Sequence, residues 1–350
     1  MTTDPFTEIR QDCLLASNGQ PEVRAKLGLQ HLAVTGGTGF LGTWIAETVA
    51  ALNDEYKLKI TLDLYARNVT DWARKYPHLS NRSDIRLQTQ DVRSSFEFSR
   101  STNFVVHAAG IPNNRVHSSD PLRVYQTTVV GINNVLEAAS QLNGLNRLIN
   151  VSSCLVNGQP DRPGPLSEAD CFPMRSGQLH TVYAEAKRAA ESLTVVYRNQ
   201  FRMPISTVRP FTFAGPHQEL DRPWALNNFL RDVLTCSDIR IHGDGNARRS
   251  YLYGSDAAWW ILAALINGED GATYNVGSSM AVTHLELVKL IGGFATPKPR
   301  VLLNTLPSKQ HTYDDLFPDN TATLQSLGVT QTCSLEKTVD KTWRWFSALR

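Results

Sequence analysis

The apolar positions of this chain change period along its length. "HLAVT" is a short apolar strand, and "GTWIAETVAALN" beyond it puts Ile45, Val49 and Leu52 on one face of a helix. "LKITLDLYAR" alternates strictly, with Leu58, Ile60, Leu62 and Leu64 facing one way. "DIRLQTQDV" and "NFVVHAAG" read as further strands, "RVYQTTVVGINNVLEAASQL" as a helix and "RLINVSS" as a strand. "TVYAEAKRAAESLTVVYRNQF" follows as a long helix and "PISTVRP" as a strand. Strands alternating with helices predict an α/β fold built on a doubly wound parallel sheet. After Pro210 the rhythm loosens into loop-rich segments and the shorter amphipathic helices "AAWWILAALIN", "THLELVKLIG" and "LEKTVDKTWRWFSAL". The predicted division is a polar helical extension over 1–30, a sheet-bearing domain over 31–210 and a smaller lobe over 211–350, with segments free to cross between the lobes. That lobe would cover the carboxyl end of the sheet, where such folds bind ligands.

Composition narrows the partners. The chain has 350 residues, 41% of them hydrophobic and 19% charged, with a net charge of +2. Its Lys and Arg are scattered, which argues against a nucleic-acid surface. Five dispersed cysteines, with no CxxC pair and no His cluster at ligand spacing, predict no metal site and a reducing compartment. The start, "MTTDPFTEIRQD", is polar rather than a secretory signal, and no apolar run nears the ~18 residues of a membrane helix. The expected location is the cytoplasm.

Between the first strand and first long helix, "TGGTGFLG" places Gly36, Gly37, Gly39 and Gly42 within seven residues. A glycine series after a strand and opening a helix is the context of a dinucleotide fingerprint, and makes the sheet Rossmann-type. Gly36 would allow the tight turn, Gly39 the close approach of a pyrophosphate and Gly42 close helix–sheet packing. Unpaired N–H groups at the helix start favour the phosphates. Tyr183 and Lys187 form YxxxK on one helix face. A cationic Lys beside the phenol favours the phenolate, which suits a general base near neutral pH. Ser153 ends the preceding strand and is placed to share a substrate hydroxyl proton with Tyr183.

The ordered set "TGGTGFLG", "HAAG", "NVSS…G", "YAEAK", "VRPFTFAGP" and "GDGNARRSYLYGSDAA…YNVG" resembles the extended short-chain dehydrogenase/reductases, specifically their nucleotide-sugar epimerases, dehydratases and decarboxylases. The resemblance implies that Ser153, Tyr183 and Lys187 are catalytic, with Lys187 also on the nicotinamide ribose. It implies that Thr38, Phe40 and Leu41 join the glycines at the cofactor, that Asp91 and Val92 meet the adenine, and that Ala108, Ala109, Gly110 and Pro210 line the cofactor. Arg249 would reach a nucleotide-sugar diphosphate from the second lobe, and the helices containing Val129 and Val196 would pair in a homodimer. For the ribose, the second strand offers Asp63, which suits NAD, and Arg67, which suits NADP. The relatives favour NAD and the local residue NADP.

The departures from that pattern constrain the reaction. The dehydratases carry an Asp-Glu pair after the catalytic hydroxyl, and the decarboxylases keep the Glu; here those positions are Cys154 and Leu155. Leu moves no proton. Substrate-side residues of the relatives are replaced by Thr128, Asn157 and Thr212, while Trp224, Asn227 and Asn228 are candidate sugar or base contacts. What remains is hydride transfer at a carbinol. The expectation is a 4-epimerase acting on a nucleotide-diphosphate sugar. The alternatives are an NADPH-dependent 4-ketosugar reductase, a dehydratase or decarboxylase with altered acid/base groups, and a non-catalytic dinucleotide sensor.

Overall fold

The computed structural model describes residues 5–175, 177–304 and 314–348. Its strands are β1 (His31–Thr35), β2 (Thr61–Ala66), β3 (Ile85–Thr89), β4 (Phe104–His107), β5 (Arg147–Val151) and β6 (Ile205–Pro210). Then come β7 (Phe213–Ala214), β8 (Ile239–His242), β9 (Arg248–Ser250), β10 (Leu252–Tyr253), β11 (Thr273–Val276), β12 (Ala281–Thr283) and β13 (Val301–Asn304). Seven of them form one sheet in the order β11-β6-β5-β4-β1-β2-β3, with every neighbouring pair parallel. Chain direction across the sheet reverses between β1 and β4. The segments leaving those two carboxyl ends diverge and open a crevice there.

The helices preceding β5 are α1 (Pro5–Ser17), α2 (Pro21–Leu27), α3 (Phe40–Tyr56), α4 (Thr70–Lys75), α5 (Pro77–Ser80), α6 (Asn114–Ser119), α7 (Pro121–Tyr125) and α8 (Gly131–Ser140). After it come α9 (Val182–Phe201), α10 (Ala225–Leu234), α11 (Gly254–Asn267), α12 (His284–Gly292), α13 (Thr321–Leu327) and α14 (Leu335–Ala348). α3 and α11 cover one face of the sheet, where Trp44, Trp259 and Trp260 are buried with Leu32, Val34 and Val106. α8 and α9 cover the other, where Ile132, Val135, Leu136 and Ala190 meet Val105 and Leu148. α1 lies on α3 and α11, burying Ile9, Cys13 and Ala16; the first four residues of the predicted extension lie outside the described residues.

β11 pairs with β6 and completes the large sheet although it lies well beyond Pro210, a crossing of the kind the sequence reading left open. One feature departs from that reading. The helix predicted to run unbroken from Arg123 to Leu142 is interrupted by a π-helical turn, Gln126–Val130. A π turn inserts a residue into the ladder and rotates everything after it, which changes the side chain offered to the crevice.

Candidate active-site cleft

β1 ends at Thr35, and Gly36 follows in the left-handed region at φ 69°. A Cβ there would lie 2.7 Å from the Ala108 carbonyl oxygen, so the turn needs glycine both for its dihedral and for its space. Gly39 is the N-cap of α3, and a Cβ on Gly42 would sit 2.3 Å from the Gly37 carbonyl oxygen. Gly42 therefore lets helix and loop pack and stays out of the cleft itself. Gly36, Thr38, Gly39, Phe40 and Leu41 line a cleft of about 1030 Å³ at the carboxyl edge of the sheet. Ala108, Ala109, Gly110 and Pro210 line it from the ends of β4 and β6, and Arg67, Asp91 and Val92 form one end.

The cleft suits a dinucleotide. The helix start at Gly39 carries no side-chain cap and lines the cleft, and two lining hydroxyls, Thr127 Oγ1 and Ser152 Oγ, are buried without a hydrogen-bond partner. Buried polar atoms are ordinarily satisfied, so both await a ligand or water. Arg67 is exposed and makes no hydrogen bond or ion pair with any described residue. Asp91 grips Arg93 through Nη2 at 2.6 Å. That hydrogen bond, with further help from Arg67, holds the Asp91 carboxyl below its ordinary range.

Asp63 is not at the cofactor end. It is fully buried within β2, one face in from the edge, where His31 Nε2 lies 2.9 Å from Oδ2 and Arg86 Nε donates to Oδ1 at 2.7 Å. Its register partners are Ala33 and Arg86. Alternation along β2 predicted Asp63 and Arg67 on one face, but β2 ends at Ala66, which leaves Asp63 inside the strand and Arg67 beyond its end. Only Arg67 reaches the edge.

On the other side of the switch point, α9 begins at Val182 and turns Tyr183 and Lys187 inward; both are buried. Ser153 follows β5 in extended conformation and caps a short 3₁₀ turn, Cys154–Asn157, its Oγ accepting from the Leu155 N–H at 3.2 Å. The Ser153, Tyr183 and Lys187 side chains all line the cleft, with Ser153 close enough to Tyr183 to favour its phenolate. Burial pushes the Tyr183 phenol up to about 12, against a smaller lowering by Ser153. Burial brings Lys187 down to about 8, and its Nζ donates to the Val151 carbonyl at 2.7 Å. Burial dominates, so the Tyr183 phenol is neutral at pH 7 in the protein alone.

Cys154 and Leu155 both line the cleft. Cys154 packs with Leu166 and Phe211, and burial pushes its thiol up to about 12; a neutral thiol in that setting is a small apolar group. Leu155 is 38% exposed, presenting a methyl-bearing surface to the cleft. Thr212 lines the cleft, as does Arg249, whose Nη2 pairs with Asp314 at 2.8 Å. Thr128 does not: its Oγ1 donates back to the Val124 carbonyl at 2.9 Å, and the π turn brings Thr127 to the cleft in its place. Asn228 also misses it, accepting from Arg231 on the outer side of α10, while Trp224 and Asn227 line it.

Two constellations were not foreseen. His117, on α6, stacks on Tyr183. His217, in the loop after β7, is buried at φ 72° with Nε2 3.3 Å from Glu47 Oε1, and His78 meets the same oxygen at 2.9 Å. Burial lowers His217, with Glu47 opposing. No periodicity marks either histidine, because each acts through a residue distant in sequence. Among the described residues there is no group of His, Cys, Asp and Glu arranged to hold a metal, and no helix long and apolar enough to cross a membrane.

A parallel sheet with a glycine-lined helix start at its switch point defines a dinucleotide-binding α/β protein. The chain belongs to the NAD dependent epimerase/dehydratase family, whose model matches residues 32–277. It is 26% identical over 314 residues to UDP-glucuronic acid decarboxylase 4 of Arabidopsis thaliana, spanning 89% of this chain and 68% of that protein. It is 23% identical to a trifunctional UDP-glucose 4,6-dehydratase, epimerase and reductase of the same plant, over 91% of this chain but 47% of that protein. The fold matches UDP-glucuronic acid 4-epimerase from Bacillus cereus in complex with UDP-glucuronic acid and NAD, with TM-score 0.77, 21% identity, and coverage of 92% of this chain and 100% of that one. UDP-glucose 4-epimerase from Thermotoga maritima, with UDP-glucose, matches at TM-score 0.77 and 20% identity over 91% and 99% of the two chains.

Proposed function

We propose that the protein interconverts nucleotide-diphosphate sugars by hydride transfer at C4, as a 4-epimerase using NAD. The observation that carries this reading is the convergence of Ser153, Tyr183 and Lys187 in the cleft with no ionisable carboxyl at Cys154 or Leu155. A hydroxyl, a phenol and an ammonium handle one proton at one carbinol oxygen. They offer no second base for C5 or C6, which elimination or decarboxylation of the kind known from the relatives would use. A bound nicotinamide supplies the hydride acceptor and donor. Tyr183 takes the C4 hydroxyl proton and returns it, Ser153 holds the same oxygen, and Lys187 anchors the cofactor ribose and carries the positive charge that favours a phenolate.

The glycine cradle would hold the pyrophosphate, Ala108 to Gly110 the central cofactor segment, and Asp91 and Val92 the adenine. Arg249 would meet the substrate diphosphate, freed from Asp314, and Thr212 with Trp224 would bound the sugar end. The part of 211–350 outside β11 and α11 is the substrate lobe in this reading. Exposed Leu122, Tyr125, Val130, Val195 and Val196 on the α7–α9 surface support a homodimer. Five unpaired cysteines suit the cytoplasm.

A second reading, a 4-ketosugar reductase using NADPH, is favoured by the unpaired Arg67 at the ribose end and by a Tyr183 that is protonated at pH 7. Denaturing the purified protein and identifying released dinucleotide by mass and absorbance separates the two. Stoichiometric NAD supports the epimerase. An empty protein that takes up added NADPH supports the reductase. Binding of neither overturns both.

A further inference from the structure

The Tyr183 ring is held by more than its hydroxyl. Its inner contacts are Ile111 and Val124, with Val116 beside them. Against it lies the His117 imidazole, with ring centroids 4.2 Å apart and planes 16° from parallel. His117 is itself fixed. Its Nε2 lies 2.7 Å from the Ile111 carbonyl oxygen; a carbonyl only accepts, so Nε2 carries the hydrogen and the tautomer is set. α6 carries His117 and is capped by Asn113, whose side chain accepts from the Arg115 N–H. Ile111 thus serves twice, its side chain against the phenol ring and its carbonyl on the imidazole.

We propose that His117 is a positioning residue for Tyr183: the anchored, stacked imidazole fixes the phenol plane and so the point in the cleft where Oη meets a substrate oxygen. Without it, Tyr183 keeps its contacts with Ile111 and Val124 but gains rotation about its side-chain bonds. Burial lowers His117, against the Ile111 bond, so the stacked ring is neutral at pH 7 and does not compete electrostatically with Lys187. The inference rests on Tyr183 acting as the proton-transfer group proposed above.

The test compares wild type, His117→Ala, His117→Phe and Tyr183→Phe by two readouts. The first is the aromatic NMR signal of Tyr183 in tyrosine-labelled protein, assigned by its loss in Tyr183→Phe. Stacking shifts this signal upfield, His117→Ala should release that shift, and His117→Phe should keep it. The second is turnover, with UDP-glucose and UDP-glucuronic acid as probes and dinucleotide content measured alongside. His117→Ala should lose kcat by up to about a hundredfold with KM and dinucleotide content unchanged, and His117→Phe, a flat ring of similar size, should recover to within about threefold of wild type. A Tyr183 signal unmoved in His117→Ala overturns the proposal without any substrate. A wild-type kcat in His117→Ala, or a loss as large in His117→Phe as in His117→Ala, also overturns it. If Tyr183→Phe itself turns over at the wild-type rate, the reading of Tyr183 fails, and a catalytic role for His117 through it fails as a separate and recognisable result.

Discussion

Replacing Gly36 by Ala is the most exacting perturbation of the cleft. The residue has φ 69°, a conformation that costs an L side chain about 1–2 kcal/mol. The new methyl would lie 2.7 Å from Ala108 O and 2.8 Å from both Ala108 C and Ala109 Cα. These are backbone atoms at the end of a central strand, and crowding of that kind in a packed interior costs about 1–3 kcal/mol. The expected total is about 2–5 kcal/mol. Because relief requires Ala108 and Ala109 to move, and both line the cleft, part of the cost falls on the dinucleotide. A share of about 2 kcal/mol is roughly a thirtyfold loss of NAD affinity. Titration calorimetry with NAD, together with urea unfolding at unchanged slope, reads both parts. Gly19→Ala is the control, since nothing lies within 4 Å of its added Cβ. A Gly36→Ala protein with wild-type affinity and wild-type midpoint would refute the reasoning about this turn.

Asp63→Asn should destabilise the fold by about 1–3 kcal/mol in thermal or urea unfolding, because it weakens the hydrogen bonds that a fully buried carboxylate makes with His31 and the half-exposed Arg86, yet leave NAD affinity unchanged. A loss of affinity with stability intact would return Asp63 to the cofactor. Lys187 is lowered from 10.5 to about 8, so between those values the unfolded chain binds more protons than the folded one. Raising the pH through that window therefore favours the fold, by up to about 3 kcal/mol relative to Lys187→Met, which should show no such gain in unfolding curves at pH 8 and 10. Cys154→Ala should keep kcat to within about twofold, since a thiol held neutral moves no proton; a loss as deep as that of Tyr183→Phe would assign Cys154 an acid/base role.

The order of strands and helices was legible because each has its own period, and the glycine turn because only glycine satisfies its dihedral and its contacts at once. Ser153, Tyr183 and Lys187 could be grouped from spacing and strand position, and the structure brings them to one cleft. Asp63 illustrates what parity leaves open: it names the face of a strand but not the depth along it. Thr128 and Asn228 were displaced by local geometry. A π turn substitutes Thr127 for the first, and the second lies on the outer side of α10. The placement of β11 was hidden because four residues, Thr273–Val276, two of them polar, carry no record of their partner strand. His117 and His217 depend on contacts across the fold, with Tyr183 and Glu47, which no local pattern encodes.

In the proposed 4-epimerase reaction this cleft moves a hydride and one hydroxyl proton, and nothing else. Turnover of a panel of UDP- and dTDP-hexoses and hexuronates in deuterium oxide, with products read by NMR and mass, tests it directly. The expected product is C4-inverted with no deuterium on any carbon, formed by wild type and not by Tyr183→Phe. Deuterium at C5 or C6, or loss of the C6 carboxyl, would show chemistry beyond C4 and rule out a simple 4-epimerase.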